Sequence, residues 1–214
     1  MLISTSFLSS MNPARDLKLL NETDTDYIHV DVMDGIFVPG RTMPFKEMRK
    51  IYKYTSKRLD VHLMVEDVKK GIEDFIAVEP NIITFHYEAC KNKEEVFEMI
   101  NLIKDNHCKV GISIKPETDV SEIFEFLPYI HVCLVMTVEP GKGGQTLLTD
   151  MVVKISKLKK YIEENNIEID IEADGGINLK TADYVKNAGA NILVSGTAIL
   201  IAKDYKTIID ELKR

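Results

Sequence analysis

Short apolar runs alternate with stretches of helical spacing from one end of the chain to the other. The runs near Leu2–Phe7, Tyr27–Val32, Leu59–Met64, Ile82–His86, Lys109–Ile114, His131–Met136, Glu168–Ala173 and Asn191–Ser195 have the length and near-continuous apolarity of strands buried on both faces. Between them, Ala14–Leu20, Phe45–Tyr54, Val68–Ala77, Lys93–Asn106, Ser121–Leu127, Thr149–Asn165, Leu179–Asn187 and Tyr205–Leu212 repeat apolar residues every three or four positions, as amphipathic helices do. A strict strand–helix alternation implies a parallel sheet, because parallel neighbours need a crossover. Eight such units predict an α/β protein, a (β/α)8 (TIM) barrel, with an open doubly wound sheet as the alternative. Thr118-Asp119 and Thr149-Asp150 are predicted N-caps, and Asp119 with Glu122 forms a capping-box pattern. No linker, low-complexity tract or charge block interrupts the pattern, so residues 1–214 read as a single barrel domain.

A barrel of this kind places its active site at the C-terminal ends of the strands. Residues i and i+2 of a strand share a face. His29 and Asp31 therefore project side by side from an apolar segment, and a carboxylate buried there needs a partner, a proton or a metal. Strand ends elsewhere supply Ser6, His62, His86 and Asp174. His29, Asp31, His62 and Asp174 would converge from three strands as two imidazoles and two carboxylates. That set suits one divalent metal ion, zinc first, with iron, manganese and cobalt as alternatives. The competing reading is a set of separate buried hydrogen bonds. His86 either joins the site or finishes its strand.

Glycine-rich turns follow the last three strands: Gly141-Lys142-Gly143-Gly144, Gly175-Gly176 and Gly196-Thr197. Any one is ordinary turn chemistry. Three on neighbouring strands, with a short helix opening at Thr197, predict a phosphate cradle of backbone N–H groups. Met33, Met64 and Met136 sit at or beyond strand ends; they either fill the core or line the mouth with an apolar, polarizable wall.

Composition narrows the partners. Apolar residues make up 45% of 214, enough for a sizeable core, and the net charge of −7 from 27 basic and 34 acidic residues excludes a general nucleic-acid surface while allowing a local pocket for a small anion. Cys90, Cys108 and Cys133 are odd in number and widely spaced, forming neither a disulfide framework nor a CxxC site. The residues after Met1 are too short an apolar run for a signal peptide, and no run approaches the roughly 20 residues that span a bilayer. The expectation is a cytoplasmic protein with no membrane partner.

The motifs Ser6-Phe7-Leu8-Ser9, His29-Val30-Asp31-Val32-Met33-Asp34-Gly35 with Phe37-Val38-Pro39, Asp60-Val61-His62-Leu63-Met64-Val65, Thr84-Phe85-His86 with Glu88-Ala89, Val135-Met136-Thr137-Val138-Glu139-Pro140-Gly141, Gly143-Gly144-Gln145, Asp174-Gly175-Gly176-Ile177 and Ser195-Gly196-Thr197-Ala198 span almost the whole chain. In these the chain resembles the ribulose-phosphate 3-epimerase family. The resemblance implies a (β/α)8 barrel that interconverts D-ribulose 5-phosphate and D-xylulose 5-phosphate by inverting C3, in a homo-oligomer. By position it implies His29, Asp31, His62 and Asp174 as ligands of a divalent metal and Asp31 and Asp174 as the acid/base pair. It implies Ser6, His62, Gly141, Lys142, Gly143, Gly144, Asp174, Gly175, Gly176, Gly196 and Thr197 as substrate contacts, with Met33, Met64 and Met136 enclosing the reacting carbon.

The chain departs from the family pattern at Lys142, where an aromatic residue is usual, at Ile36 in place of histidine, and at Gly40 in place of asparagine, followed by Arg41. These positions bear on substrate choice, and D-allulose 6-phosphate is the alternative ketose. A phosphosugar decarboxylase or synthase would be expected to carry Asp-x-Lys-x-x-Asp on the third strand, which here lacks the lysine and the second acid. A non-catalytic phosphosugar-binding barrel is the reading from another class; it would need the glycine turns and not all four metal-type residues.

Overall fold

The computed structural model describes residues 1–214, the side chain of Ile51 excepted. The strands are β1 (Leu2–Ser6), β2 (Tyr27–Met33), β3 (Arg58–Met64), β4 (Ile82–His86), β5 (Lys109–Ile114), β6 (Val132–Met136), β7 (Asp170–Asp174) and β8 (Ile192–Ser195). They are parallel, pair in sequence order and close through β1 and β8 into a barrel. The helices are α1 (Pro13–Asn21), α2 (Phe45–Ile51), α3 (Val68–Ile76), α4 (Lys93–Asp105), α5 (Asp150–Glu164), α6 (Ala182–Ala188), α7 (Thr197–Leu200) and α8 (Tyr205–Lys213). No helix among the described residues is long and apolar enough to cross a membrane.

Each helix packs the stripe its sequence defines. In α3 the buried side chains are Val68, Ile72 and Phe75; in α5 they are Met151, Ile155, Leu158 and Ile162. These stripes meet the outward-facing residues of the strands, such as Val61, Leu63, Ile83, Phe85, Val110 and Ile112, in one continuous core. Caps follow local chemistry: Asn12, Asp67, Asn92 and Asp204 each accept a first-turn backbone N–H at the start of their helix.

The other face of each strand fills the barrel. Its lowest layer is an apolar plug of Leu2, Tyr27, Ile82, Val132 and Ile192. Above the plug the interior turns polar, with Ser4, His29, Asp60, His62, Thr84, His86, Ser113 and Glu172 all fully buried. Barrel interiors are ordinarily packed with branched apolar residues. Water-excluded polar groups need partners here, and both the pairs they form and the atoms left without one, such as His29 Nε2 and His62 Nδ1, define the site.

The structure departs from the sequence pattern at the β5–β6 crossover. The predicted helix Ser121–Leu127 is absent; Val120–Ile123 and Leu127–Tyr129 form two 3-10 turns. The buried residues Val120, Ile123 and Phe126 recur every three positions, which suits a 3-10 turn, and Pro128 cannot extend an α-helix through its missing N–H. The Asp119 side chain caps Ser121 N at 2.9 Å, but the Glu122 side chain closes no capping box among the described residues. Thr149 lies in helical geometry and makes no side-chain cap. Phe45–Tyr54 finishes as a 3-10 turn over Tyr52–Tyr54, and α6 starts three residues late because Asn178 and Thr181 tie residues 178–181 into a turn.

Candidate active site

His29, Asp31, His62 and Asp174 come together at the C-terminal mouth. Asp31 stands beside His62 in the β2–β3 register, and Asp174 beside Met136 in the β6–β7 register. His29 Nε2 lies 3.8 Å from Asp31 Oδ1 and 3.7 Å from Asp174 Oδ2, while His62 Nδ1 lies 3.4 Å from Asp174 Oδ2. One donor atom from each residue falls within 4.8 Å of all the others. His29 Nε2 and His62 Nδ1 are both buried and find no hydrogen-bond partner among the described residues. Leaving a buried polar atom unpaired costs about 1–3 kcal/mol. Two such imidazole nitrogens facing two carboxylates fit a divalent cation, which would take the place of a proton among them; its bonds of about 2.0–2.2 Å to His and Asp set donor spacings just above 3 Å.

A second buried layer lies directly beneath. His29 Nδ1 is 2.8 Å from Asp60 Oδ2, which also accepts from Ser4 Oγ at 2.7 Å. Glu172 faces the same carboxylate, with His29 Nδ1 3.7 Å from its Oε1. Burial raises the Glu172 carboxyl well above the usual range, and the negative Asp60 adds to this. Burial works against charge on Asp60 too, but His29, the neighbouring Glu172 and the hydrogen bond from Ser4 outweigh it and hold Asp60 low. Glu172 is thereby pushed toward its neutral form beside a charged Asp60. Burial also opposes protonation of His29, and the surrounding Asp60, Asp31 and Asp174 overcome it, lifting its pKa well above the ordinary value.

Sequence reasoning missed Asp60 and Glu172 as parts of this assembly. The signal was present: each stands two residues before a predicted site residue, His62 and Asp174, and so shares its face.

Asp31 is held by Ser6, whose Oγ donates to Oδ2 at 2.7 Å. Burial lifts the Asp31 carboxyl above the usual range; His29 pulls it down and Asp174 pushes it up. His86 borders the centre, its ring within 24° of parallel to that of His62 and 5.0 Å away between centroids, with the two Nε2 atoms facing each other. Burial lowers its pKa to about 4, so it is neutral near pH 7. Burial would raise neighbouring Glu88, but His86, Thr118 and the backbone of Lys115 hold it down to about 2.

Above the aspartates opens a cavity of 290 Å³. Ser6, Asp31, Asp174, Met33, Met64 and Met136 line its lower part. The upper wall comes from Gly141, Lys142, Gly143, Gly144, Gly175, Gly176, Gly196 and Thr197. His29 and His62 stand behind the aspartates, fully buried, rather than in the wall. The loop after β6 is clasped by Gln145, whose Nε2 donates to Glu139 O at 2.7 Å and Lys142 O at 2.8 Å. Thr137 Oγ1 donates to Gly175 O at 2.5 Å, tying the β6 and β7 loops together. Gly40 lies so close to Gly141 that a Cβ there would sit 2.2 Å from the Gly141 carbonyl oxygen. Ile36 is exposed at the rim.

A closed parallel barrel with acids and imidazoles under a glycine-lined cavity has the layout of a barrel enzyme, with its chemistry at the strand C-termini. Residues 2–200 match the ribulose-phosphate 3 epimerase family. The ribulose-phosphate 3-epimerase of Methanocaldococcus jannaschii is 40% identical over 198 residues, covering 92% of this chain and 82% of its own. That of Eremothecium gossypii is 37% identical over 199 residues, covering 88% and 80%. The chain belongs to the ribulose-phosphate 3 epimerase family and is an enzyme of the isomerase class. Among solved structures, 3-hexulose-6-phosphate synthase from Salmonella typhimurium superposes with a TM-score of 0.71 over 100% of this chain and 97% of its own, at 15% identity, a likeness of fold alone.

Proposed function

We propose that this protein is a metal-dependent epimerase that inverts C3 of a phosphoketose, interconverting D-ribulose 5-phosphate and D-xylulose 5-phosphate. The reading is carried by the convergence of two carboxylates and two unpartnered imidazole nitrogens under a glycine-lined cavity. The names of the relatives support the substrate. His29 Nε2, His62 Nδ1, Asp31 and Asp174 would hold one divalent ion, zinc first among zinc, iron, manganese and cobalt. When bound, that ion supplies positive charge beside the substrate oxygens on which negative charge develops.

Inverting a stereocentre needs a base on one face and an acid on the other. Asp31 and Asp174 reach the mouth from β2 and β7, with β1 and β8 between them in the closed sheet. One takes the C3 proton, leaving an enediolate; the other, protonated, returns a proton to the opposite face, and the roles exchange with direction. Ser6 orients Asp31 through its hydrogen bond. Met33, Met64 and Met136 keep water from the reacting carbon. The backbone of Gly141–Gly144, Gly175-Gly176 and Gly196-Thr197 grips the phosphate and so aligns C3 between the carboxylates. The three free cysteines agree with a reducing, cytoplasmic setting.

The test is metal analysis of the purified protein together with assays on ribulose 5-phosphate and allulose 6-phosphate. Turnover of ribulose 5-phosphate with exchange of the C3 proton against solvent deuterium is expected. Retention of that proton in product and recovered substrate would refute the two-base reading, and preference for allulose 6-phosphate would move the substrate assignment.

A further inference from the structure

The two nitrogens of His62 face different groups. Nδ1 looks toward Asp174 at 3.4 Å, and Nε2 lies 3.0 Å from His86 Nε2. His86, the last residue of β4, directs its Nδ1 to Glu88 Oε2 at 3.0 Å. A carboxylate only accepts, so the His86 proton belongs on Nδ1. Its Nε2 is then an acceptor, which requires His62 to donate from Nε2; in the neutral imidazole that binds a metal, the lone pair then lies on Nδ1. That lone pair faces the Asp31–Asp174 centre.

Glu88 is anchored in turn. Its Oε1 accepts from the backbone N of Lys115 at 2.7 Å and from Thr118 Oγ1. Lys154 of α5 donates to the carbonyls of Lys115, Pro116 and Thr118 at 2.9, 2.7 and 2.6 Å, clamping the loop that holds Glu88. A continuous hydrogen-bonded line therefore runs from the barrel axis, through His62, His86 and Glu88, to the loop after β5 and then to α5.

We propose that His86 and Glu88 are positioning residues that set the tautomer and ring orientation of His62 as a divalent-metal ligand. This rests on the metal reading of the centre. β5 sends no acid or imidazole to the mouth; its following loop enters the chemistry by anchoring Glu88. Outer groups that orient a metal-binding histidine are typically worth about 10–100-fold in metal affinity.

Competition between the full-length protein and a chromogenic chelator for Co²⁺ tests the idea, with the visible Co²⁺ spectrum as a second readout. His86→Leu and Glu88→Ala are expected to weaken Co²⁺ binding about 10–100-fold and to alter the spectrum. His86→Gln, which keeps one acceptor and one donor, should recover most of the loss. Thermal unfolding without metal shows whether each variant folds; Glu88→Ala, at the partly exposed end, carries the test if a buried His86 variant does not. Affinities within about twofold of wild type for Glu88→Ala and His86→Leu, or no advantage of Gln over Leu, would overturn the proposal. His62→Ala separates the two readings: if it leaves Co²⁺ affinity unchanged, the metal reading falls and this proposal with it. If it abolishes binding while His86→Leu binds normally, only the positioning role falls.

Discussion

Gly176 and Gly144 both have positive φ, +68° and +72°, in loops that line the cavity, yet alanine should cost very different amounts at the two. At Gly144 the nearest atom to an added Cβ is Thr197 Oγ1 at 3.8 Å, ordinary contact, so the penalty is the left-handed backbone alone, about 1–2 kcal/mol. At Gly176 the Cβ would lie 2.4 Å from Leu147 N, 2.9 Å from its Cα and 3.0 Å from Gln145 O. These are backbone atoms, and the segment is pinned by Leu148 N donating to Thr137 O at 2.8 Å, so no side-chain rotation relieves the clash. Overpacking of this sort adds about 1–3 kcal/mol. Gly176→Ala should therefore destabilise by about 2–5 kcal/mol in total. For a domain of this size each kcal/mol lowers Tm by about 2–4 °C. Urea unfolding of the two variants measures the difference directly. Because the Gly176 carbonyl also accepts from Asn178 Nδ2 and Thr181 Oγ1, displacing it moves the β7 loop, and KM for the phosphosugar should rise by about tenfold. Equal stability losses at the two positions, or a larger loss at Gly144, would refute the steric reasoning.

Asp31→Asn and Asp174→Asn should each lower kcat by about 10²–10⁴-fold or more with far-UV circular dichroism unchanged; a variant of either that retains near-normal turnover would contradict the acid/base assignment. Stripping divalent metal with a chelator should lower stability, since an ion present at 100 times its Kd contributes about 2.7 kcal/mol; an unchanged melting curve on adding Zn²⁺ would argue against a metal centre. Lys142→Phe should raise KM or shift preference among phosphoketoses by removing a positive charge at the cavity rim, and identical kinetics on all of them would exclude a role for that charge. Glu88 is depressed from 4.5 to about 2 in the folded protein, so its contribution of about 3 kcal/mol is complete above pH 4.5 and is lost as pH falls toward 2. Glu88→Gln should lack that stability at neutral pH and show a flatter acid limb in urea titrations at pH 6 and pH 3; parallel limbs would refute it.

The strand pattern was legible because strands buried on both faces read as unbroken apolar runs, and β4 and β5 match their predicted limits residue for residue. The β5–β6 crossover was not, because apolar residues spaced three and four apart satisfy a helix and a pair of 3-10 turns alike. His29 and Asp31 stood out in sequence as polar residues in an apolar run. Asp60 and Glu172 stood out less: their spacing of two from His62 and Asp174 put them on the same inward face, but that they share a buried layer with His29 was visible only in the barrel. His86 had two open readings, and its ring is now seen joining His62 to Glu88.

The amino-acid sequence alone determined the eight-unit parallel architecture, the strand ends where polar chemistry accumulates, and the glycine turns above them. Those features follow from periodicity and local backbone preference, which are written residue by residue. Which nitrogen of each histidine faces the centre was decided only in three dimensions, as were the opposed charge preferences of Asp60 and Glu172 and the anchoring of Glu88 by the loop after β5. Each depends on atoms brought together from strands distant in sequence, and hydrogen bonding with desolvation acts on those neighbours whatever their separation along the chain.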